Sequence, residues 1–321
     1  MRKNIPDKCF ADDWIAVHRV RLSNAVTVTI EKRMTLFSRY IGIDYSGAAT
    51  PTSSLKGLRV YAATGTADPE EVPPPPSPRK YWTRRGLAEW LVATLRDTQP
   101  TIVGIDHAFS FPLAYFKRHG LPYDWHAFLD DFCAHWPTNE DNIYVDFVRE
   151  GDHGNGAARM GDSHWRRMTD IVAGGAKSVF HFDVQGSVAK STHAGLPWLK
   201  HIRDQLGKAV HFWPFDGWAV PAGVHVIAEV YPALWRNRYP VEARTPDQQD
   251  AYTACRWLQE EDRSGVMERF LVLSLAPDEM TMAQVEGWIL GAIRGKQAGI
   301  LATRPGRGWA NITRKPFITG E

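Results

Sequence analysis

Two stretches of this sequence carry one pattern, Arg39-Tyr40-Ile41-Gly42-Ile43-Asp44 and Thr101-Ile102-Val103-Gly104-Ile105-Asp106. Each is an apolar run of strand length closed by an acid. The first is followed by the small residues Ser46, Gly47, Ala48 and Ala49, and residues 58–63 read as a second strand, close enough to pair antiparallel with it. Residues 83–96 predict a helix, with Thr83 as N-cap and Leu87, Trp90, Leu91 and Leu95 at helical spacing. Two acid-ended strands separated by a hairpin partner and a helix predict the core of a mixed α/β sheet flanked by helices. The run Pro73-Pro74-Pro75-Pro76 is neither helix nor central strand and is expected to be a surface loop, in the place of a third strand.

Further along, residues 122–136 predict another helix. A glycine- and histidine-rich excursion follows over about 140–222, long enough to be an insertion before the last core strand. That strand is Val224-His225-Val226-Ile227-Ala228-Glu229-Val230, with an acid near its end. A strong helix signal begins at Thr245-Pro246, cap and first helical residue, and runs to about residue 258. Residues 282–293 read as a further apolar helix. The domain is expected to span 34–294. Residues 1–33, which show no clean period, read as an upstream extension with Met34 as the native start, and 295–321 as a basic tail.

The chain has 321 residues, a formal charge of +2, 44% hydrophobic and 23% charged residues, which excludes polycationic, disordered, collagenous and coiled-coil classes. Cys9, Cys133 and Cys255 lie far apart, which argues against a disulfide framework or a zinc finger. No apolar stretch is long enough for a membrane span, so a cytoplasmic location is expected. The near-neutral total conceals segregation: residues 119–152 hold eight acids against Arg149, whereas 159–208 hold eight basic residues against four acids.

Asp44 and Asp106 are expected at the carboxyl edge of neighbouring strands, where open α/β sheets place their sites. Either could cap a turn; two in matched context, with Glu229 at a third strand end, favour a shared cation. An all-oxygen set suits Mg²⁺ or Mn²⁺. Asp247 and Asp250, three apart, share one helix face near its positive end.

This arrangement resembles the ribonuclease H-like superfamily, and the aspartates at spacing three look like the Holliday-junction-resolvase pattern within it. More closely, Gly42-Ile43-Asp44, Gly104-Ile105-Asp106 with Phe111-Pro112, Ala228-Glu229-Val230-Tyr231-Pro232, Asp250-Ala251 and Glu286-Gly287-Trp288-Ile289 resemble a domain-of-unknown-function family described as predicted nucleases of that fold. The resemblance covers residues 38–293. It implies two-metal phosphodiester hydrolysis, with Asp44 as bridging ligand, Asp106, Glu229 and Asp250 completing the shells, and Asp247 in reserve. The implied partner is a nucleic acid or nucleotide.

Trp165, Phe180, Phe182 and Trp198, interleaved with the basic residues of 159–208, offer charge for phosphate and faces for bases, and equally the ordinary content of a packed insertion. His153, His164, His181 and His193 match no zinc spacing. Cys133 and Cys255 fall on apolar helix faces and read as core. Residues 184–190 lack the glycines of a phosphate loop, and no nucleophile-elbow or dinucleotide motif occurs. Two other readings remain: an actin- or sugar-kinase-like phosphotransferase, for which Asp44-Tyr45-Ser46-Gly47 is compatible but His107-Ala108-Phe109 lacks glycine, and a non-catalytic binding protein on the same fold.

Overall fold

The computed structural model describes residues 17–20, 28–31, 35–184 and 186–293. In chain order the strands are β1 (Val17–Val20), β2 (Val28–Glu31), β3 (Arg39–Asp44), β4 (Arg59–Thr64), β5 (Glu70–Glu71), β6 (Thr101–Asp106), β7 (Val210–Trp213) and β8 (His225–Glu229). The α-helices are α1 (Arg84–Thr94), α2 (Leu113–His119), α3 (Trp125–His135), α4 (Val145–Glu150), α5 (Met168–Ala173), α6 (Ala189–Leu206), α7 (Pro246–Arg263), α8 (Met267–Leu271) and α9 (Pro277–Glu286). Strands β1 and β2 pair antiparallel. The rest of 1–33, Met34 and the basic tail lie outside the described residues.

The main sheet has six strands in the order β5-β4-β3-β6-β8-β7. Strands β3, β4 and β5 form an antiparallel run, and β6, β8 and β7 are parallel to β3. Strand alternation separates two cores. Ile41, Ile43, Val103 and Ile105 pack under α1, α3 and α6, whereas Tyr40 and Ile102 join Ala254, Trp257 and Leu258 of α7. The result is a mixed sheet with helices on both faces.

Local signals set the helix starts. Thr83 accepts from the Gly86 amide at 2.9 Å and opens α1; Asp124 does the same for α3 through Ala127 at 2.8 Å. Thr245 and Gln248 bond reciprocally across the first turn of α7, whose Pro246 has no amide to satisfy.

Three expectations are corrected. A short third strand does exist: β5 pairs Tyr61↔Glu71 and Ala62↔Glu70 just ahead of the prolines. The last helix lies earlier than 282–293. Pro277 opens α9 and Gly287, at φ +80°, ends it. Residues 288–292 then run irregularly and buried along β8, with the Leu290 amide donating to the Glu229 carbonyl. Finally, the 140–222 segment is not outside the sheet, because it supplies α6 to one face and β7 as an edge strand, with Phe212↔Ile227 in register.

Candidate functional site

Asp44 and Asp106 are register partners on parallel neighbours, so their Cα atoms stand about 4.8 Å apart across the ladder. Two residues earlier, Gly42 and Gly104 are also partners and face the same side. A side chain there would obstruct α7. A Cβ on Gly42 would fall on the Ala251 carbonyl oxygen and the Cys255 amide nitrogen, and one on Gly104 would stand 2.7 Å from Val230 Cγ1 and 3.1 Å from Leu258 Cδ1. The glycines therefore let α7 lie directly on the sheet, and its first turns carry Asp247 and Asp250 past the ends of β3 and β6. The loop between β3 and β4 closes the other side: Gly57 Cα lies against Ser46 Oγ and Asp247 Oδ2, each 3.7 Å from where its Cβ would be.

The electrostatics of this group are those of acids without enough cation. Burial pushes the Asp44 carboxyl well above its ordinary value, and the negative charges of Asp106, Asp247 and Asp250 push it the same way. Asp106 is raised by burial, then by Asp250 and Glu229. No described residue donates a hydrogen bond to either side chain. Among the described residues, the one cation engaged at the cluster is Arg236, whose Nη2 lies 2.9 Å from Asp250 Oδ2, and neither Asp44 nor Asp106 has an ion-pair partner. Tyr231 also faces the group, its hydroxyl raised by burial and by Asp106.

A pH dependence follows. A carboxyl held above its ordinary value of 3.8 keeps its proton longer in the folded than in the unfolded chain. Its contribution to stability therefore falls as pH rises from about 4 through the raised value. In chelator, the stability of Asp106→Asn minus that of the wild type is expected to grow with pH across that range, measured by urea unfolding at pH 4 to 8. A difference that stays flat removes the crowded-carboxylate account.

Glu229 does not join these acids. Its partner in the ladder is Ile105, not Asp106, so it points to the opposite face of the sheet. There it is buried against Arg167, with Oε1 2.6 Å from Nη2 and Oε2 2.7 Å from Nη1, and it accepts from the Phe109 amide. Arg167 also grips Asp170 and the Glu286 carbonyl. Glu286 itself accepts from the Leu113 and Met168 amides, joining α2 and α5 to α9. The sequence motifs around Glu229 and Glu286 are thus anchoring contacts behind the site. Arg167, Arg236 and Arg84, which holds the Ser46, Ala48 and Ala49 carbonyls, carry no spacing signal that sequence reading can use.

The interleaved aromatics of 159–208 are not a stacking surface. Phe180, Phe182 and Trp198 are buried and Trp165 packs partly buried against the same core. Most of the basic residues there are committed: Arg159 to Asp131, Lys190 to Asp146, Lys200 to Asp130 and Asp204, Arg203 to Asp216. His153 pairs with Glu140 and His164 with Asp162, while His193 is buried beneath Phe111, Trp136 and Phe182, its imidazole pushed down to about 3 by burial. Cys255 is core and Cys133 partly buried, with burial pushing the Cys133 thiol up to about 12.

No three Asp, Glu, His or Cys side chains among the described residues are gathered as a ready set of metal ligands. The donor chemistry of Asp44, Asp106, Asp247 and Asp250 nonetheless fits a hard divalent cation: four carboxylates, two of them lacking any hydrogen-bond donor, around one strand edge. No described helix is long and apolar enough to cross a membrane. No family model, curated protein or solved structure matches the chain.

Proposed function

We propose that this chain hydrolyses phosphodiester bonds of a nucleic acid or nucleotide with Mg²⁺ or Mn²⁺, on a ribonuclease H-like arrangement of its sheet. The observation that carries this reading is the register pairing of Asp44 with Asp106 beneath the first turns of α7, where Asp247 and Asp250 sit. The strand order supports it: an antiparallel run of three strands, then a parallel acid-ended strand beside the first, then β8, with β7 added at the edge.

Asp44, Asp106 and Asp250 would hold the cation, and Asp247 stands one turn from Asp250 on the same helix. Glu229 leaves the ligand set because Arg167 holds it. When bound, a divalent cation at such a site activates water and stabilises the leaving oxygen. The chain's own part is to bring carboxylates together at the cost of their mutual repulsion, which a cation relieves. Arg236 is 58% exposed while its partner Asp250 is 16% exposed, so the guanidinium reaches from solvent into the site and is placed to orient a phosphate. Lys56 is exposed on the loop that meets Asp247 and adds positive charge there.

The phosphotransferase reading needs free backbone amides after β6 to cradle phosphate. Those amides are taken: Ala108 donates to Thr192 Oγ1 and Phe109 to Glu229 Oε2.

Thermal unfolding of the full chain during titration with Mn²⁺ tests the proposal. A rising midpoint is expected, equivalent to about 2.7 kcal/mol at a hundredfold excess over the dissociation constant. It is paired with a screen for hydrolysis of DNA, RNA and nucleotides. Unchanged unfolding at millimolar metal, together with no hydrolysis of any of these, overturns it.

A further inference from the structure

Of the four aspartates at the strand edge, Asp250 is the one whose two oxygens are both engaged among the described residues. Arg236 Nε lies 3.3 Å from its Oδ1 and Nη2 lies 2.9 Å from its Oδ2. The guanidinium also acts on the acids it does not touch. Burial and the neighbouring carboxylates raise Asp44 and Asp106, and Arg236 is the cation that opposes the rise in both. In the metal-free chain it is therefore the counter-charge of the whole group.

The backbone that carries Arg236 is fixed on either side of it. Just before, Trp235 stacks on Trp257 of α7, with ring centroids 3.8 Å apart and 8° between the planes. Just after, Arg238 reaches Glu260 and Glu261 of the same helix at 2.9 and 2.7 Å. Both anchors grip the helix that bears Asp250, so the turn Arg236–Arg238 and that acid keep their relation. The Arg236 side chain has no such hold. It is 58% exposed, and among the described residues its hydrogen bonds go to Asp250 alone. Rotation about its own side-chain bonds moves the guanidinium into solvent with the backbone unmoved.

Two cations on one carboxylate repel each other. An ion pair this exposed shifts an equilibrium by no more than about fivefold. A divalent ion carries twice the charge and engages several carboxylate oxygens at once. Competition for Asp250 therefore runs against the guanidinium.

We propose that Arg236 is a resident counter-cation which a divalent ion displaces: it stays on Asp250 in the metal-free chain and swings out when the ion takes that carboxylate. The inference rests on reading the aspartates as a divalent-cation site. It adds an order of events, because the guanidinium assigned above to a phosphate is released for it only once the metal is in place.

Calorimetric titration with Mn²⁺ of the full chain, wild type against Arg236→Gln, tests this together with a crystal structure of the wild type with Mn²⁺. The variant is expected to bind Mn²⁺ about 3- to 10-fold more tightly. In the structure, Arg236 is expected beyond hydrogen-bond distance of the Asp250 carboxylate. Affinity that is unchanged or weaker in the variant overturns the exchange and leaves the metal site standing, as does a bound ion with Arg236 still on both Asp250 oxygens. No Mn²⁺ binding by either protein overturns the site, and the exchange with it. Neither readout uses hydrolysis.

Discussion

Replacing Arg167 with leucine is expected to lower the stability of the chain by about 3–5 kcal/mol at pH 7, the loss typical when one partner of a buried ion pair is removed. The guanidinium is essentially unexposed and holds two acids that are equally buried, Asp170 and Glu229. Burial alone would lower its pKa, but those two carboxylates reverse the shift, so it stays charged. Without it, Glu229 keeps one donor, the Phe109 amide, and must take up a proton to remain inside. Burial already raises Glu229, with Arg167 opposing that rise. Removing Arg167 raises it further, so the stranded Glu229 binds a proton in the folded state more readily than in the unfolded one. The deficit therefore shrinks as pH falls toward 5. Urea unfolding at pH 7 and pH 5 measures both quantities. A loss below about 1 kcal/mol at pH 7, or a deficit that widens in acid, contradicts the assignment. Glu229→Gln supplies the complementary check: it should leave Mn²⁺ stabilisation intact, because Glu229 faces away from the aspartate cluster.

Glu229 also shows where sequence reading stops. The acid-ended strands are visible as strings, and so are the hairpin after β3, the caps at Thr83 and Thr245, and the helix that bears Asp247 and Asp250. What a string does not contain is the phase of one strand against another. Asp44 and Asp106 occupy equivalent positions in similar hexapeptides, so any alignment of those strands by their glycines makes them neighbours. The β8 run has no glycine to set its phase. It pairs one residue out, Glu229 beside Ile105, and a shift of one residue reverses the face. The same glycines show how much a motif can mean physically: Gly42 and Gly104 are read as strand residues, and their work is to admit α7.

The charge segregation has an equally local cause. Part of the acidic block of 119–152 meets part of the basic block of 159–208, Asp130, Asp131 and Asp146 pairing with Lys200, Arg159 and Lys190, while Asp141 pairs with Arg85 and Arg203 with Asp216 outside both. Sequence shows the two blocks; only packing shows which of their members pair. Arg236, paired with Asp250 at the carboxylates, belongs to neither block, and it is the residue to which the proposed function assigns a phosphate.

Asp44→Asn is the substitution with the largest expected functional effect, and its two consequences run in opposite directions. In chelator the variant should unfold at a higher temperature than the wild type above about pH 5. It removes a carboxyl that burial and three neighbouring acids hold well above its ordinary value, and so removes a repulsion present only in the folded chain. With Mn²⁺ the order should change. If the proposed site holds, the wild type should be stabilised by a cation its carboxylates share, whereas the variant, lacking the acid aligned with Asp106, should show little or no shift. Hydrolysis should fall by more than about 100-fold, because even residues that only support a metal ligand typically cost 10 to 100-fold. Circular dichroism should be unchanged, since no described residue hydrogen-bonds to the Asp44 side chain and the amide replaces the acid at equal size. This pairing of higher stability with lost activity separates a functional site from a structural one: an acid kept for its capping or packing would lower stability when replaced. Undiminished hydrolysis, or a Mn²⁺ shift equal to that of the wild type, would remove Asp44 from the site. A lower midpoint in chelator would show instead that its carboxylate holds the fold together.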